Sequence, residues 1–217
     1  MGVTRGMERE VGTWGDGELR LSPPPIPPFP PSPYLPAMPD TSAAPDLQYP
    51  IGRVERRPVL TPDERRSAID ALAVAPEALR AAVRGLTDAQ LDTPYRPDGW
   101  TVRQLVHHVA DSHMNAYIRF KLGLTEDNPT IKPYDQDAWV TLADSALPIA
   151  VSLDMLGALH TRLVALLRAA PASAFSRTIE HPENGPMTLD QMLGVYSWHG
   201  RHHTAHITSL RERMGWS

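Results

Sequence analysis

The chain has 217 residues, 21 of them Lys or Arg and 25 of them Asp or Glu, and its net charge of −4 argues against a protein that binds the phosphate backbone of nucleic acids. It contains no cysteine, which excludes disulfides, thiolate zinc sites and a cysteine nucleophile and is consistent with a reducing compartment. The hydrophobic fraction of 41% is sufficient for a core, and neither a secretory signal nor an uninterrupted apolar run of about 18 residues is visible, so we expect a soluble cytoplasmic protein without a membrane span.

The first 45 residues are rich in proline, most densely in "SPPPIPPFPPSPYLPAMPDTSAAP", residues 22–45. Each proline removes a backbone donor and fixes φ, so neither a helix nor a central strand is expected there. The sequence therefore predicts a disordered extension over residues 1–45 and a folded domain over residues 46–217. Recognition of the extension by an SH3-type partner is an alternative that nothing else in the sequence supports.

Four long helices are predicted downstream of the extension. Three begin at capping boxes, in which a Thr and a Glu or Gln three residues later satisfy each other's backbone amides. These three run from Thr61 to about Arg84, from Thr101 to about Leu124 and from Thr188 to Met214. The fourth runs from Pro148 to Ala170, and its apolar stripe consists of Leu153, Leu156, Leu159, Leu163 and Leu166 or Leu167. Four such helices predict an all-α fold, an antiparallel four-helix bundle.

The connections between these helices are predicted to be less regular. Two prolines interrupt residues 125–135, and a short helix is expected at about Ala138 to Asp144. The stretch "SRTIEHPENGPM", residues 176–187, is expected to be a loop with a short extended piece. We interpret "TIKPYDQDAW", residues 130–139, as a lid over a site, because it lies between two long helices.

The last helix carries four of the nine histidines in "WHGRHHTAHI", residues 198–207. His199 and His203 continue its apolar stripe and lie four residues apart, so both imidazoles project from one face and could share a divalent ion. Random placement of nine histidines would give roughly 0.4 such pairs, so one pair is weak evidence. Histidines that are merely structural are therefore an equal alternative on this helix alone. His202 is predicted to face solvent or the rim of the bundle, and His206 is a weaker ligand candidate.

A third ligand must come from another helix, since two histidines do not make a stable zinc site. His107 and His108, on the second long helix, can reach the same depth in an antiparallel bundle, and helical periodicity does not choose between them. His113, His160 and His181 have less support, and His160 is predicted to be solvated or to cap a helix.

Two segments resemble the metal-ligand segments of the DinB/YfiT superfamily: "GWTVRQLVHHVADSHMNAYIRFKLGLTE", residues 99–126, and "YSWHGRHHTAHITSLRERMGW", residues 196–216. The similarity extends over about residues 49–217 and is greatest to the YfiT branch, described as metal-dependent hydrolases related to bacillithiol S-transferases. The resemblance implies a four-helix bundle with a three-histidine site for one zinc or nickel ion per chain. In the family an acid follows the first ligand by three residues, and this selects His108, which Asp111 follows. The implied ligands are His108, His199 and His203.

The resemblance also implies an enzyme that acts on a small molecule, because three neutral imidazoles leave the ion charged and with an open coordination position. We predict a bacillithiol-like S-transferase, in which the ion activates a low-molecular-weight thiol cosubstrate for attack on an electrophile. One alternative is a hydrolase that uses water bound to the ion, and another is a non-catalytic metal-binding stress protein. A homodimer is consistent with the resemblance.

Two further residues of the second long helix are candidates for supporting roles. Asp111, one turn after His108, is a candidate catalytic residue that would orient the imidazole or relay a proton, with a surface ion pair as the alternative. Arg119 is a candidate for binding a carboxylate of the cosubstrate, with a solvated arginine as the alternative.

Overall fold

A computed structural model describes residues 46–216 of the chain. The predicted proline-rich extension, residues 1–45, lies outside the described residues, so the division into an extension and a domain stays a prediction.

The described part is mostly helical, and its four long helices confirm the predicted four-helix bundle. The helices are α1 (Pro62–Val83), α2 (Asp88–Leu91), α3 (Val102–Thr125), α4 (Gln136–Trp139), α5 (Ala150–Ala169) and α6 (Leu189–Met214). Two 3-10 turns, Ala143–Ala146 and Ala172–Ser176, flank α5. Strands β1 (Thr178–His181) and β2 (Gly185–Thr188) precede α6.

The predicted capping boxes start α1 and α3 as expected. Glu64 N donates to Thr61 Oγ1 over 3.3 Å, and Thr61 N donates to Glu64 Oε2 over 2.8 Å. Thr101 caps α3 in the same reciprocal way with Gln104. At α6 only one of the two hydrogen bonds of the predicted capping box forms within residues 46–216: Thr188 Oγ1 accepts from the backbone amide of Gln191. The Thr188 hydroxyl donates its own proton to the carbonyl of Pro58. The start of α6 is thereby tied to the chain that leads into α1.

The four long helices are not arranged in chain order. Both α1 and α3 pack against α5 and α6, so α1 lies diagonally opposite α3, and α5 lies diagonally opposite α6. Helices α1 and α6 run parallel, since Arg65 of α1 binds Asp190 near the start of α6 and Arg211 near the end of α6 donates to the carbonyl of Ala82.

The directions of the other pairs follow from their contacts. Helices α3 and α5 run parallel: His107 contacts Ser152, and His113 contacts His160 further along both helices. Helices α3 and α6 run antiparallel, because His108 packs on His203 while Arg119, later in α3, contacts Tyr196, earlier in α6. The predicted antiparallel approach of these two helices therefore places their histidines at one depth.

A layer of histidines divides the core of the bundle. One apolar cluster contains Phe120 of α3, Leu163 of α5 and Tyr196 of α6, and the other contains Val109, Leu156 and Ile207 of the same three helices. His113, His160 and the histidines of α6 lie between these two clusters in each helix. The polar side chains at mid-height thus need partners that the apolar clusters cannot supply.

Three connections differ from the prediction. The short helix expected at Ala138 to Asp144 is replaced by α4 and the first 3-10 turn, because Asp135 caps α4 and accepts from Ala138 N over 2.9 Å. Helix α5 begins at Ala150 rather than at Pro148. The expected loop at 176–187 contains an antiparallel hairpin of β1 and β2, so the fold is helical with one small sheet.

Helix α5 has the length and composition of a membrane span, with a mean hydropathy of 1.4 over 18 residues. Its buried side chains include Leu153, Leu156, Leu163 and Leu167. They face α1 and α3, and Asp154 on the outer surface pairs with Arg80 of α1. The apolar side chains of α5 therefore pack inside the bundle, as those of a core helix do.

Candidate metal centre

Three histidines from two antiparallel helices converge at mid-height of the bundle. His199 Nε2 lies 3.3 Å from His108 Nε2 and 3.1 Å from His203 Nε2. One nitrogen from each of the three side chains lies within 4.8 Å of the other two. The structure thus brings together the three residues that the resemblance implies as ligands, and their occupation by an ion stays a prediction.

The spacing of these nitrogens suits a divalent ion. Two imidazole nitrogens that bind a tetrahedral zinc ion at about 2.0–2.1 Å lie about 3.3 Å apart. His108 and His203 are buried, at 2% and 8% exposure, while His199 is half-buried. Three nitrogen donors held at that spacing fit a zinc or nickel ion with a remaining position for another ligand.

All three imidazoles are neutral at pH 7. Burial lowers the pKa of His108 to about 4. The pKa of His199 and that of His203 lie well below the usual value, first because of burial and then because of the neighbouring histidines. Neutral imidazole is the form that binds a metal, so no proton has to be removed from a cation before an ion enters.

A cavity of about 490 Å³ opens on the three histidines. Four aromatic residues line it, namely Tyr49, Tyr95, Trp100 and Trp198, together with the charged residues Arg96, Asp98 and Asp137. The Trp100 ring lies 4.5 Å from the His108 ring and shields it. A cavity of this size and mixed lining is suited to a small molecule with apolar and polar parts.

The segment interpreted as a lid contributes to this wall. Gln136 and Asp137 of α4 line the cavity, and Trp100 Nε1 donates to Asp137 Oδ1 over 3.2 Å. Gln136 and Asp137 therefore border the site, and a lid role for residues 130–139 stays a prediction.

One prediction about the other histidines of α6 needs correction. His202 was expected at the surface or rim, but it is only 6% exposed, because its ring stacks on Trp198 at 4.1 Å. His206 is also buried, stacks on Tyr95 and contacts the backbone carbonyl of Gln48. His202, His203 and His206 form a second group whose nitrogens lie within 4.8 Å, and it shares His203 with the first.

Two histidines that had little support from the sequence lie directly behind the centre. His113 Nε2 is 3.2 Å from His199 Nδ1, and His160 Nε2 is 2.9 Å from His113 Nδ1. His160 was predicted to be solvated or to cap a helix, but it is 2% exposed, because its Nδ1 reaches the carbonyl of Leu72 over 2.6 Å. By contrast, His107 turns away from the centre and contacts Ser152 and the carbonyl of Leu147.

Asp111, one turn after His108, is not among the residues that line the cavity. Its carboxylate makes neither a hydrogen bond nor a salt bridge to any residue in 46–216, so the surface ion pair considered as its alternative role is not formed there. Burial, and then the charge of Asp144, raise the pKa of Asp111 to about 6. A carboxyl group that titrates near neutrality is suited to acid–base chemistry, and a catalytic role for Asp111 stays a prediction.

Arg119 lies further along α3 and does not line the cavity. Its guanidinium donates to the Tyr196 hydroxyl over 2.8 Å and to the carbonyl of Lys132 over 3.1 Å. In this arrangement Arg119 joins α3 to α6 and to the segment before α4, and its binding of a cosubstrate stays a prediction.

Known proteins resemble this chain over the whole bundle. Residues 71–207 match the family model of the DinB superfamily. Two relatives are named "Putative metal-dependent hydrolase", one from Bacillus mycoides strain KBAB4 and one from Bacillus cereus strain B4264. Each is 53% identical to this chain over 171 residues, which make up 79% of this chain and 99% of the relative. The solved structure of YfiT from Bacillus subtilis, described as "a probable metal-dependent hydrolase with an unusual four-helix bundle topology", has 51% identity and a TM-score of 0.77 and covers 79% of this chain and 99% of its own.

Proposed function

The chain belongs to the DinB superfamily, and we propose that it is a metal-dependent hydrolase whose divalent ion is bound by His108, His199 and His203. One observation carries this proposal: three neutral imidazole nitrogens converge at ion-binding distances on the wall of a cavity that can hold a small molecule. The names of the relatives support hydrolysis over thiol transfer.

Different residues of the chain would bind the ion and the substrate in such a centre. A bound zinc or nickel ion would supply Lewis acidity, which lowers the pKa of a small nucleophile and polarises the group that it attacks. His108, His199 and His203 would hold the ion, and Trp100 keeps water away from the His108 ring. Arg96 and the aromatic wall would hold the polar and apolar parts of a substrate, which the cavity restricts to a small molecule.

A second candidate is the transfer of a low-molecular-weight thiol, as in a bacillithiol-like S-transferase. The absence of cysteine from the sequence favours it, because the chain has no thiolate that could occupy the open position in competition with a cosubstrate. Asp111 is the candidate acid or base for either reaction, since its pKa is raised to about 6. The cytoplasmic location and the homodimer stay predictions.

The first test is the metal content of the untagged protein, measured by elemental analysis together with two variants. About one zinc or nickel ion per chain is expected in the parent and in His181→Ala, a change in the hairpin away from the centre. His203→Ala is expected to lose the ion, because two histidines do not hold it. If the parent binds no ion after incubation with zinc or nickel, the three-histidine centre is wrong.

The second test separates the reactions in the loaded protein. A panel of small esters and amides is incubated without thiol, and an electrophilic aryl halide is incubated with and without a small thiol. Product from the esters or amides that disappears in His203→Ala supports hydrolysis. Conjugate formed only with thiol, and no hydrolysis, supports transfer instead. No turnover in either assay by a fully loaded protein contradicts both and leaves a non-catalytic metal-binding protein.

A further inference from the structure

We propose that two histidine relays, neither of which supplies a ligand, fix the imidazoles of His199 and His203 in the tautomer whose unprotonated Nε2 faces the metal. The first relay consists of His113 and His160 and ends on the Leu72 carbonyl. The second relay is His206, and it ends on the Gln48 carbonyl. This inference rests on the proposed metal centre and names the residues that prepare it.

The first relay follows from which atoms can donate. The Leu72 carbonyl only accepts, so His160 Nδ1, at 2.6 Å, must carry the proton. A neutral imidazole has one donor and one acceptor, so His160 Nε2 accepts from His113 Nδ1 over 2.9 Å. His113 Nε2 then accepts from His199 Nδ1 over 3.2 Å. His199 is left with its lone pair on Nε2.

The rings of this relay are neutral, as the assignment requires. His113 is fully buried and His160 is 2% exposed. No carboxylate contacts either ring within residues 46–216, so nothing there favours an imidazolium.

The second relay follows in the same way. His206 Nε2 lies 3.1 Å from the Gln48 carbonyl and must donate to it. His206 Nδ1 is therefore an acceptor, and it lies 3.4 Å from His203 Nδ1, which carries the proton. His203 is thus also left with its lone pair on Nε2.

The two relays have a common result at the centre. The Nε2 atoms of His199 and His203 lie 3.1 Å apart with no proton available between them, an arrangement that a cation stabilises and that is repulsive without one. His108 differs, because its Nδ1 is buried and has no hydrogen-bond partner within residues 46–216. Its tautomer is therefore free, and in the metal-free protein His108 Nε2 can donate to His199 Nε2 over 3.3 Å.

The relays also account for the second histidine group. His203 and His206 meet through their Nδ1 atoms, which the second relay already joins by a hydrogen bond. Within this group His206 therefore supports the first centre, while His202 belongs to neither relay. Outer partners of this kind fix the ring orientation of metal-bound histidines and raise their basicity.

The direct test reads the tautomers by nitrogen NMR of the full chain labelled with ¹⁵N-histidine, without metal and with zinc. We expect protons on Nδ1 of His113 and His160 and on Nε2 of His206 in both states, and on Nδ1 of His199 and His203 already in the metal-free protein. A proton on Nε2 of His113 or of His160 would overturn the first relay, and one on Nδ1 of His206 would overturn the second.

A matched pair of variants tests what the first relay does. His160→Phe removes the acceptor of His113, so His113 and then His199 can take the other tautomer and direct a proton at the metal. We expect zinc affinity, measured in competition with a chromophoric chelator, to fall by about 10- to 100-fold. His107→Phe is the control, because it removes an equally buried histidine with two hydrogen bonds from the same α3–α5 interface. Its zinc affinity should stay within about twofold of the parent.

A conservative variant separates the relay from packing. In His160→Gln the side chain has an NH2 group that can donate to the Leu72 carbonyl and an oxygen that can accept from His113. It should recover much of the zinc affinity that His160→Phe loses. If the parent binds zinc and the two variants His160→Phe and His107→Phe bind zinc with equal affinity, the relay is overturned and the metal centre is not. A parent that binds no zinc would contradict the proposed function, while the tautomers of the metal-free protein would still decide the relay.

Discussion

Outside the histidine layer, Asp111 is a residue whose surroundings disfavour its charged form. Its carboxyl is half-buried, accepts no hydrogen bond within residues 46–216 and faces the like charge of Asp144, and its pKa rises from 3.8 to about 6. A carboxyl whose pKa is raised on folding stabilises the fold fully below its unfolded pKa and loses that contribution as the pH rises through its folded pKa. Asp111 should therefore cost stability at neutral pH.

This cost can be measured with Asp111→Asn in metal-free protein. From about pH 4 to about pH 7 the variant should gain on the parent by roughly 1 kcal/mol in free energy of unfolding, after allowance for solvent screening of a half-exposed group. Urea titrations across this range give the difference, and Asp127→Asn is the control at an exposed position. A gap between parent and Asp111→Asn that does not change with pH would show that Asp111 titrates normally. Loss of turnover in the loaded variant would in addition support its catalytic role.

The burial of two relay histidines, His113 and His160, could have been predicted from spacing alone. Val109, His113 and Ala116 follow one another at intervals of four and three on the buried stripe of α3, and Leu156, His160 and Leu163 do so on α5. The predicted leucine stripe instead passed through Leu159, which is only partly buried, and so placed His160 outside.

The choice between His107 and His108 could not have come from periodicity. Residues 105–110 are all buried, because α3 is covered on several sides, and both histidines are nearly inaccessible at 5% and 2% exposure. Only the likeness to a family selected His108, and the geometry then placed it against His199.

At the scale of elements, Gly123 is a position where α3 lies close to its neighbours. A Cβ there would lie 2.6 Å from Leu189 Cδ2 at the start of α6 and 3.1 Å from Ile179 Cγ2 in β1. Both neighbours are 1% exposed, so neither side chain has free space into which it can move. The absent side chain at Gly123 is what lets the hairpin and the start of α6 close against α3.

Gly123→Ala should therefore destabilise the protein by about 1–3 kcal/mol despite the better helix propensity of alanine. Gly157→Ala on α5 is the matched change, since a Cβ there meets nothing within 4 Å, and it should raise stability by up to about 1 kcal/mol. Thermal and urea unfolding of both variants give the comparison. A Gly123→Ala protein as stable as Gly157→Ala would mean that Leu189 moves aside at little cost.

Elements fixed by interactions between residues close in sequence were predictable, and elements fixed by tertiary contacts were not. The caps at Thr61 and Thr101 lie within three residues of their partners, so the sequence contains the whole interaction. The hairpin depends instead on distant contacts: Ile131 N donates to the carbonyl of Glu180, and Leu189 N donates to that of Arg177. Such pairings leave no periodic pattern in a stretch as short as residues 176–187.

At the scale of the whole molecule, one buried ion pair joins the parallel helices α1 and α6 to the chain before α1. Arg65 donates from Nε and one Nη to the two oxygens of Asp190, both over 2.8 Å, and Leu60 N donates to the same carboxylate over 3.1 Å. The side chains of Arg65 and Asp190 are only 15% and 3% exposed. Removal of one partner would leave the other charge in a site from which water is largely excluded.

Asp190→Asn should accordingly lower the free energy of unfolding by about 3 kcal/mol. Asp70→Asn breaks the exposed pair with Arg168, which joins α1 to α5, and should cost less than about 1 kcal/mol. Urea denaturation at constant ionic strength measures both. Similar small losses in the two variants would mean that Arg65 finds water or another acceptor.

The bundle itself was predictable from four amphipathic helices, but the neighbours of each helix were not. Short loops would favour neighbours in chain order, whereas the connections here, residues 84–101 and 126–149, are long enough to cross the bundle. The apolar stripes of α1 and α3 do not indicate that these two helices lie diagonally opposite each other in the bundle.

The diagonal arrangement also determines when the three histidines can meet. Neither α1 with α3 nor α5 with α6 forms a hairpin of successive helices, so the bundle closes mainly through contacts between segments far apart in the chain. His108 and His199 are 91 residues apart, and they come together only after α6 has left the ribosome. A growing chain with α1, α3 and α5 already exposed therefore offers isolated histidines but no chelating site, and slow closure of a fold with many long-range contacts prolongs that interval. Capture of an ion would therefore follow the packing of α6 against α3, and a bound ion would report that these two helices have met.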